Sequence, residues 1–68
     1  MRCTHYMKEK IVSKAIMYMT LYNKPMTEAI EEAKKNLEAY LGDSVEITTH
    51  DMASIHNKIA MYSTTVKR

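Results

Sequence analysis

Cysteine and histidine are the side chains that most readily do chemistry, and this chain has one cysteine and three histidines. Cys3 and His5 alternate, so an extended N-terminus would point both the same way. His50 and His56 are six residues apart, a poor spacing for one helix face. These residues do not have the spacing of a tetrahedral zinc site, and a single cysteine excludes a cysteine-rich one. A cysteine nucleophile needs a base held against it. No histidine is placed by the sequence to activate Cys3. Acid–base work needs two carboxyls converging in a pocket. The clustered acids Glu28, Glu31, Glu32 and Glu38 fall instead on the polar side of a helix. A phosphate loop needs several glycines, and Gly42 is the only one. The sequence therefore predicts no catalytic residue, no metal ligand and no cofactor, hence a non-enzymatic protein.

The elements available to position any functional group are helices. One glycine in 68 residues leaves few turns of the kind hairpins need. The spacing of apolar residues predicts an all-α, compact three-helix domain, with helices at about 6–22, 27–41 and 49–62 and a frayed tail over 63–68. The N-terminus is expected to be loose or a short extended segment.

In the first helix Met7, Ile11, Val12, Ala15, Tyr18, Met19 and Tyr22 share one sector. Ile16 and Leu21 flank that sector on opposite sides, and Met17 lies in the polar arc. A helix apolar over more than half its circumference is expected to be covered on two sides, the second by another molecule. The second helix has a narrower stripe of Met26, Ala29, Ile30, Ala33, Leu37, Tyr40 and Leu41. Thr27 is the expected N-cap, and Gly42 the expected left-handed residue after its end. Glu31 and Lys35 are spaced for an i,i+4 ion pair. Val45 and Ile47 alternate with polar neighbours over 43–47, which admits a short strand without an obvious partner. Thr48 with Asp51 reads as a capping box, and Ile47 with Met52 as its staple. Met52, Ile55, Ile59 and Tyr62 then share a face of the third helix.

Size sets a further expectation. A chain this short buries only about 60% of its unfolded surface, so its stability is marginal. No internal disulfide can help with one cysteine. A homodimer, or a complex with another protein, is the expected remedy. Phenylalanine and tryptophan are absent, while there are seven methionines and five tyrosines. Both of those residue types suit contact surfaces. The expected partner contact is Ile16, Met17, Leu21 and Tyr22, with Tyr18 if the bundle leaves it free. Charge is segregated: residues 1–24 carry five bases and one acid, and residues 25–51 two bases and seven acids. A second expected surface is therefore the acidic face Glu28, Glu31, Glu32 and Glu38, suited to a basic partner.

The stretch Asn23-Lys24-Pro25-Met26-Thr27-Glu28-Ala29-Ile30-Glu31-Glu32-Ala33 is similar to the turn and second helix of ribbon-helix-helix repressors. That resemblance implies a dimeric DNA-binding regulator whose N-terminal strand pairs with its twin in the major groove. Arg2, Thr4 and Tyr6 would then face the bases, and Lys8 would join Arg2 and Thr4 as nucleic-acid contacts.

The leading expectation is a small regulatory or inhibitory protein acting through protein–protein contact. Its size and lone-domain character suit a phage or mobile-element accessory protein. There is no apolar run long enough for a transmembrane helix. The first residues also lack the apolar region of a secretory signal. A cytoplasmic setting with a reduced Cys3 is expected.

Overall fold

A computed structural model describes residues 1–66 of the chain. It contains three helices: α1 (His5–Tyr22), α2 (Met26–Leu41) and α3 (Thr49–Val66). The all-α, three-helix expectation is met. Tyr6 and Tyr40 line one groove, and Lys8 reaches Asp51. Thus α2 runs antiparallel to α1, and α3 returns parallel to it.

Each boundary has a chemical cause. Thr4 is extended, and its Oγ1 accepts the Met7 N–H at 3.2 Å. That bond satisfies one of the amides a helix start leaves free, and α1 begins at His5 rather than Tyr6. Asn23, at φ 57° and ψ 35°, ends the helix in the left-handed region, which asparagine tolerates better than most residues. Pro25 then serves as N-cap of α2, its carbonyl accepting the Ala29 N–H at 2.9 Å. The expected cap Thr27 lies inside the first turn. The tight 23–25 connection starts the helix early, so backbone geometry overrides the side-chain preference. Gly42 has φ +74° and donates its N–H to the Glu38 carbonyl at 2.8 Å, as expected of the residue after the helix. Thr48 Oγ1 accepts the Asp51 N–H at 3.1 Å, so that cap also forms. The third helix continues to Val66, four residues past its expected end. The expectation of a frayed tail at Lys67 and Arg68 lies outside the described residues.

The core contains Ile11, Ala15, Ala29, Ile30, Ala33, Ile55 and Ile59, all fully or nearly fully buried. Burying each isoleucine contributes roughly 1.5–3 kcal/mol before entropy is charged. Ala15, Ala29 and Ala33 keep the α1–α2 seam thin, because small side chains let helix axes approach. Helix α1 is the middle element. It packs extensively on α2 and less so on α3, while α2 and α3 barely meet. The second side of α1, expected to meet another molecule, is thus largely taken by α3.

The two segments outside the helices find each other. Arg2 and Glu46 form an isolated parallel bridge. Glu46 N–H donates to the Met1 carbonyl at 2.7 Å, and Cys3 N–H to the Glu46 carbonyl at 3.2 Å. The extended stretch around Val45 therefore has a partner, and the N-terminus is tied down. Glu38 organises the neighbouring turn: its Oε2 accepts the Val45 N–H at 2.8 Å.

Candidate functional site

Two flanks of α1 are covered, which leaves its outward arc open. At 100° per residue, Tyr6, Lys10, Ser13, Met17 and Leu21 project into a sector of about 80°. All five are exposed, Tyr6 at 67% and Leu21 at 66%. On the α2 side this arc borders a groove of about 340 Å³, whose walls include Tyr6, Leu37 and Tyr40, with Lys10 and Lys14 at its rim. On the α3 side it borders an open depression of about 390 Å³ formed by Ile16, Met17, Thr20, Leu21 and Tyr62. The Lys10 ammonium lies 5.4 Å from the centre of the Tyr6 ring, a cation–π distance. No ion pair holds Lys10 or Lys14 among the described residues.

The expected contact residues divide. Met17 and Leu21 lie together on the open arc. Tyr22 is exposed at the end of α1, its ring 5.9 Å from that of Tyr18. Its place in the apolar sector did not bury it, because α1 ends there. Ile16 and Tyr18 are half-buried and pack against the core, so they support the surface more than they form it. Sequence reasoning missed Tyr40 and Tyr62 as surface aromatics and left Tyr6 out of the protein-contact surface, placing it outward only in the repressor reading. Tyr40 and Tyr62 sit on apolar helix stripes but near helix ends, where no third element covers them.

The expected acidic face also divides. Glu31 and Glu32 are exposed, and Glu28 lies 3.6 Å from Lys24. Glu38 is withdrawn into the fold by its bond to Val45 and by Lys34 at 3.7 Å. The ion pair along this part of α2 is Lys34–Glu38 rather than Glu31–Lys35.

The residues implied by the repressor resemblance have structural employment. Thr4 caps α1. Lys8 lies 3.4 Å from Asp51, with both side chains less than one-fifth exposed. Arg2 is exposed, but its neighbours' backbone groups bond to Glu46. The three do not form one open basic surface.

Burial pushes the Cys3 thiol up, and Asp51 adds to the rise against an opposing effect of Lys8. A raised pKa leaves little thiolate at neutral pH. Among the described residues no three His, Cys, Asp or Glu side chains gather as a metal site, and no helix is long and apolar enough to cross a membrane. Comparison of the chain with protein-family models, curated proteins and solved structures finds no match.

Proposed function

We propose that this chain is a small non-enzymatic regulatory or inhibitory module that acts by protein–protein contact through the outward arc of α1. The observation that carries the reading is the joint exposure of Met17 and Leu21 beside Tyr62, with Tyr6 and Tyr40 at the other end of the arc. Scattered single apolar residues on a surface need no explanation, whereas a contiguous group marks an interaction site. Tyrosine and methionine supply large contact areas that adapt to a partner's shape.

A photo-crosslinking residue at position 21 tests the reading in cells that make the protein, with the same residue at the exposed position 57 of α3 as control. Protein adducts specific to position 21 are expected. Absence of adducts, or equal adducts at both positions, removes the outward arc as the contact.

A further inference from the structure

Along the open arc, Tyr6, Lys10, Ser13, Met17 and Leu21 recur at intervals of four, three, four and four. That makes one ridge along the helix face. Tyr6 and Leu21 are equally far from the point between Ser13 and Lys14, and so are Lys10 and Met17. A two-fold axis passing close to Ser13 would set Tyr6 of one chain against Leu21 of the other. It would likewise set the aliphatic stem of Lys10 against Met17. The smallest side chain of the set, Ser13, would fall at the crossing, where two helices come closest.

We infer that the partner on this face is a second copy of the same chain, joined by antiparallel pairing of α1 with α1 about Ser13. The inference rests on the reading of the outward arc as a protein contact surface.

Two observations support this occupant. First, an isologous contact needs one self-complementary patch, and the seam supplies it. Second, the area suffices. The exposed parts of Tyr6, Met17, Leu21, Tyr40 and Tyr62 amount to on the order of 700 Å², close to the roughly 800 Å² each partner gives to a standard interface. The seam is also long enough, at about 22 Å from Tyr6 to Leu21. Lys10 and Lys14 of each chain lie near the axis and repel across it, so the pairing should tighten as added salt screens them. A lysine in a seam keeps its ammonium at the edge while its stem is covered, and Lys10 already leans over the Tyr6 ring. A polar seam residue also fixes register and orientation.

Sedimentation of the whole chain from micromolar to millimolar concentration tests the inference. A reversible monomer–dimer equilibrium is expected. Leu21→Glu should weaken it about 100-fold or more, because each dimer carries the change twice. Leu21 is exposed, so helicity should be unchanged, and circular dichroism checks this. Adding Tyr6→Lys to Leu21→Glu should recover part of the lost affinity, since antiparallel pairing brings the new lysine to the partner's new glutamate. Parallel pairing would give no rescue. In a Cys3→Ser background, Ser13→Cys should form a disulfide-linked dimer under mild oxidation, and Asn57→Cys should not. A chain that stays monomeric throughout, a dimer indifferent to Leu21→Glu, or a failed rescue overturns the inference. If the chain is monomeric while position 21 crosslinks to a different protein, the second copy is wrong and the contact surface stands. If neither association is seen, both fall.

Discussion

Lys58 Nζ lies 2.7 Å from Glu9 Oε2, joining residues forty-nine apart in the chain. One residue earlier on α1, Lys8 meets Asp51 of the same partner helix at 3.4 Å. The order of charge is inverted between the helices: base then acid on α1, acid then base on α3. Either pair alone would tolerate a sliding helix. Together they select one register for α3 on α1.

These pairs predict acid sensitivity. The hydrogen bond and charge of Lys58 hold the Glu9 carboxyl below its ordinary range, against a smaller effect of burial, and His5 and Lys8 add in the same direction. Burial acts to raise Asp51, but its bonds from Thr48 and Lys8 outweigh that and leave it lowered. A carboxyl with a depressed folded-state pKa stabilises the fold fully above its unfolded pKa. That contribution drains away as pH falls through the folded value. Urea midpoints should therefore drop between neutral pH and about pH 3. The double variant Glu9→Gln, Asp51→Asn should start lower and fall less steeply. If it falls as steeply as the parent, other carboxylates carry the acid response.

Helix capping gives a graded prediction. Thr4→Ala and Thr48→Ala should each cost about 1 kcal/mol, because each hydroxyl accepts a helix amide. Thr27→Ala should be close to neutral, since the Thr27 side chain caps nothing. Thermal melts of the three variants give the order directly. An equal loss at Thr27 would show that Thr27 is the cap and that α2 starts at Glu28, two residues later than Met26.

How much of this was legible in the sequence depends on the range of the interaction. Gly42, the Thr48 cap and the stripe on α2 are set by neighbours within a turn, and the sequence shows them. Pro25 displaced Thr27 because the entry to α2 follows from the left-handed Asn23, a backbone feature that side-chain preference does not encode. The bridge between Arg2 and Glu46 was hidden for another reason. Each segment is too short to show a strand pattern, and the helices bring them together. The contact arc was half visible. Met17, Leu21 and Tyr6 stand outside the main apolar sector of α1, whereas Tyr40 and Tyr62 look like core until their places near helix ends are known.

At Gly42 the prediction isolates backbone strain. A Cβ there would meet nothing within 4 Å, yet φ is +74°. Gly42→Ala should cost about 1 kcal/mol, all of it conformational. Gly42→Asn should cost less, as Asn23 shows by occupying the same region at φ 57°. Equal losses in denaturant titrations of the two variants would mean that space, not φ, limits the site.

Nucleic acid binding gives a prediction of the opposite kind. Lys8 is held by Asp51 and Thr4 by the start of α1. A labelled mixed-sequence duplex should show flat fluorescence anisotropy even at low salt. A rise that collapses steeply with added salt would restore Arg2, Thr4 and Lys8 as contacts and favour the ribbon-helix-helix reading.

The central place of α1 also governs how the molecule comes apart. Since α2 and α3 barely meet, releasing α3 breaks few contacts between those two, and α1 with α2 remains a paired hairpin. Opening of α3 then requires less free energy than global unfolding. Its amides should exchange with deuterium through that cheaper opening, ahead of those around Ala15 and Ala33. Protection measured along the chain would report two cooperative units rather than one, with the boundary in the Gly42 to Thr48 connection.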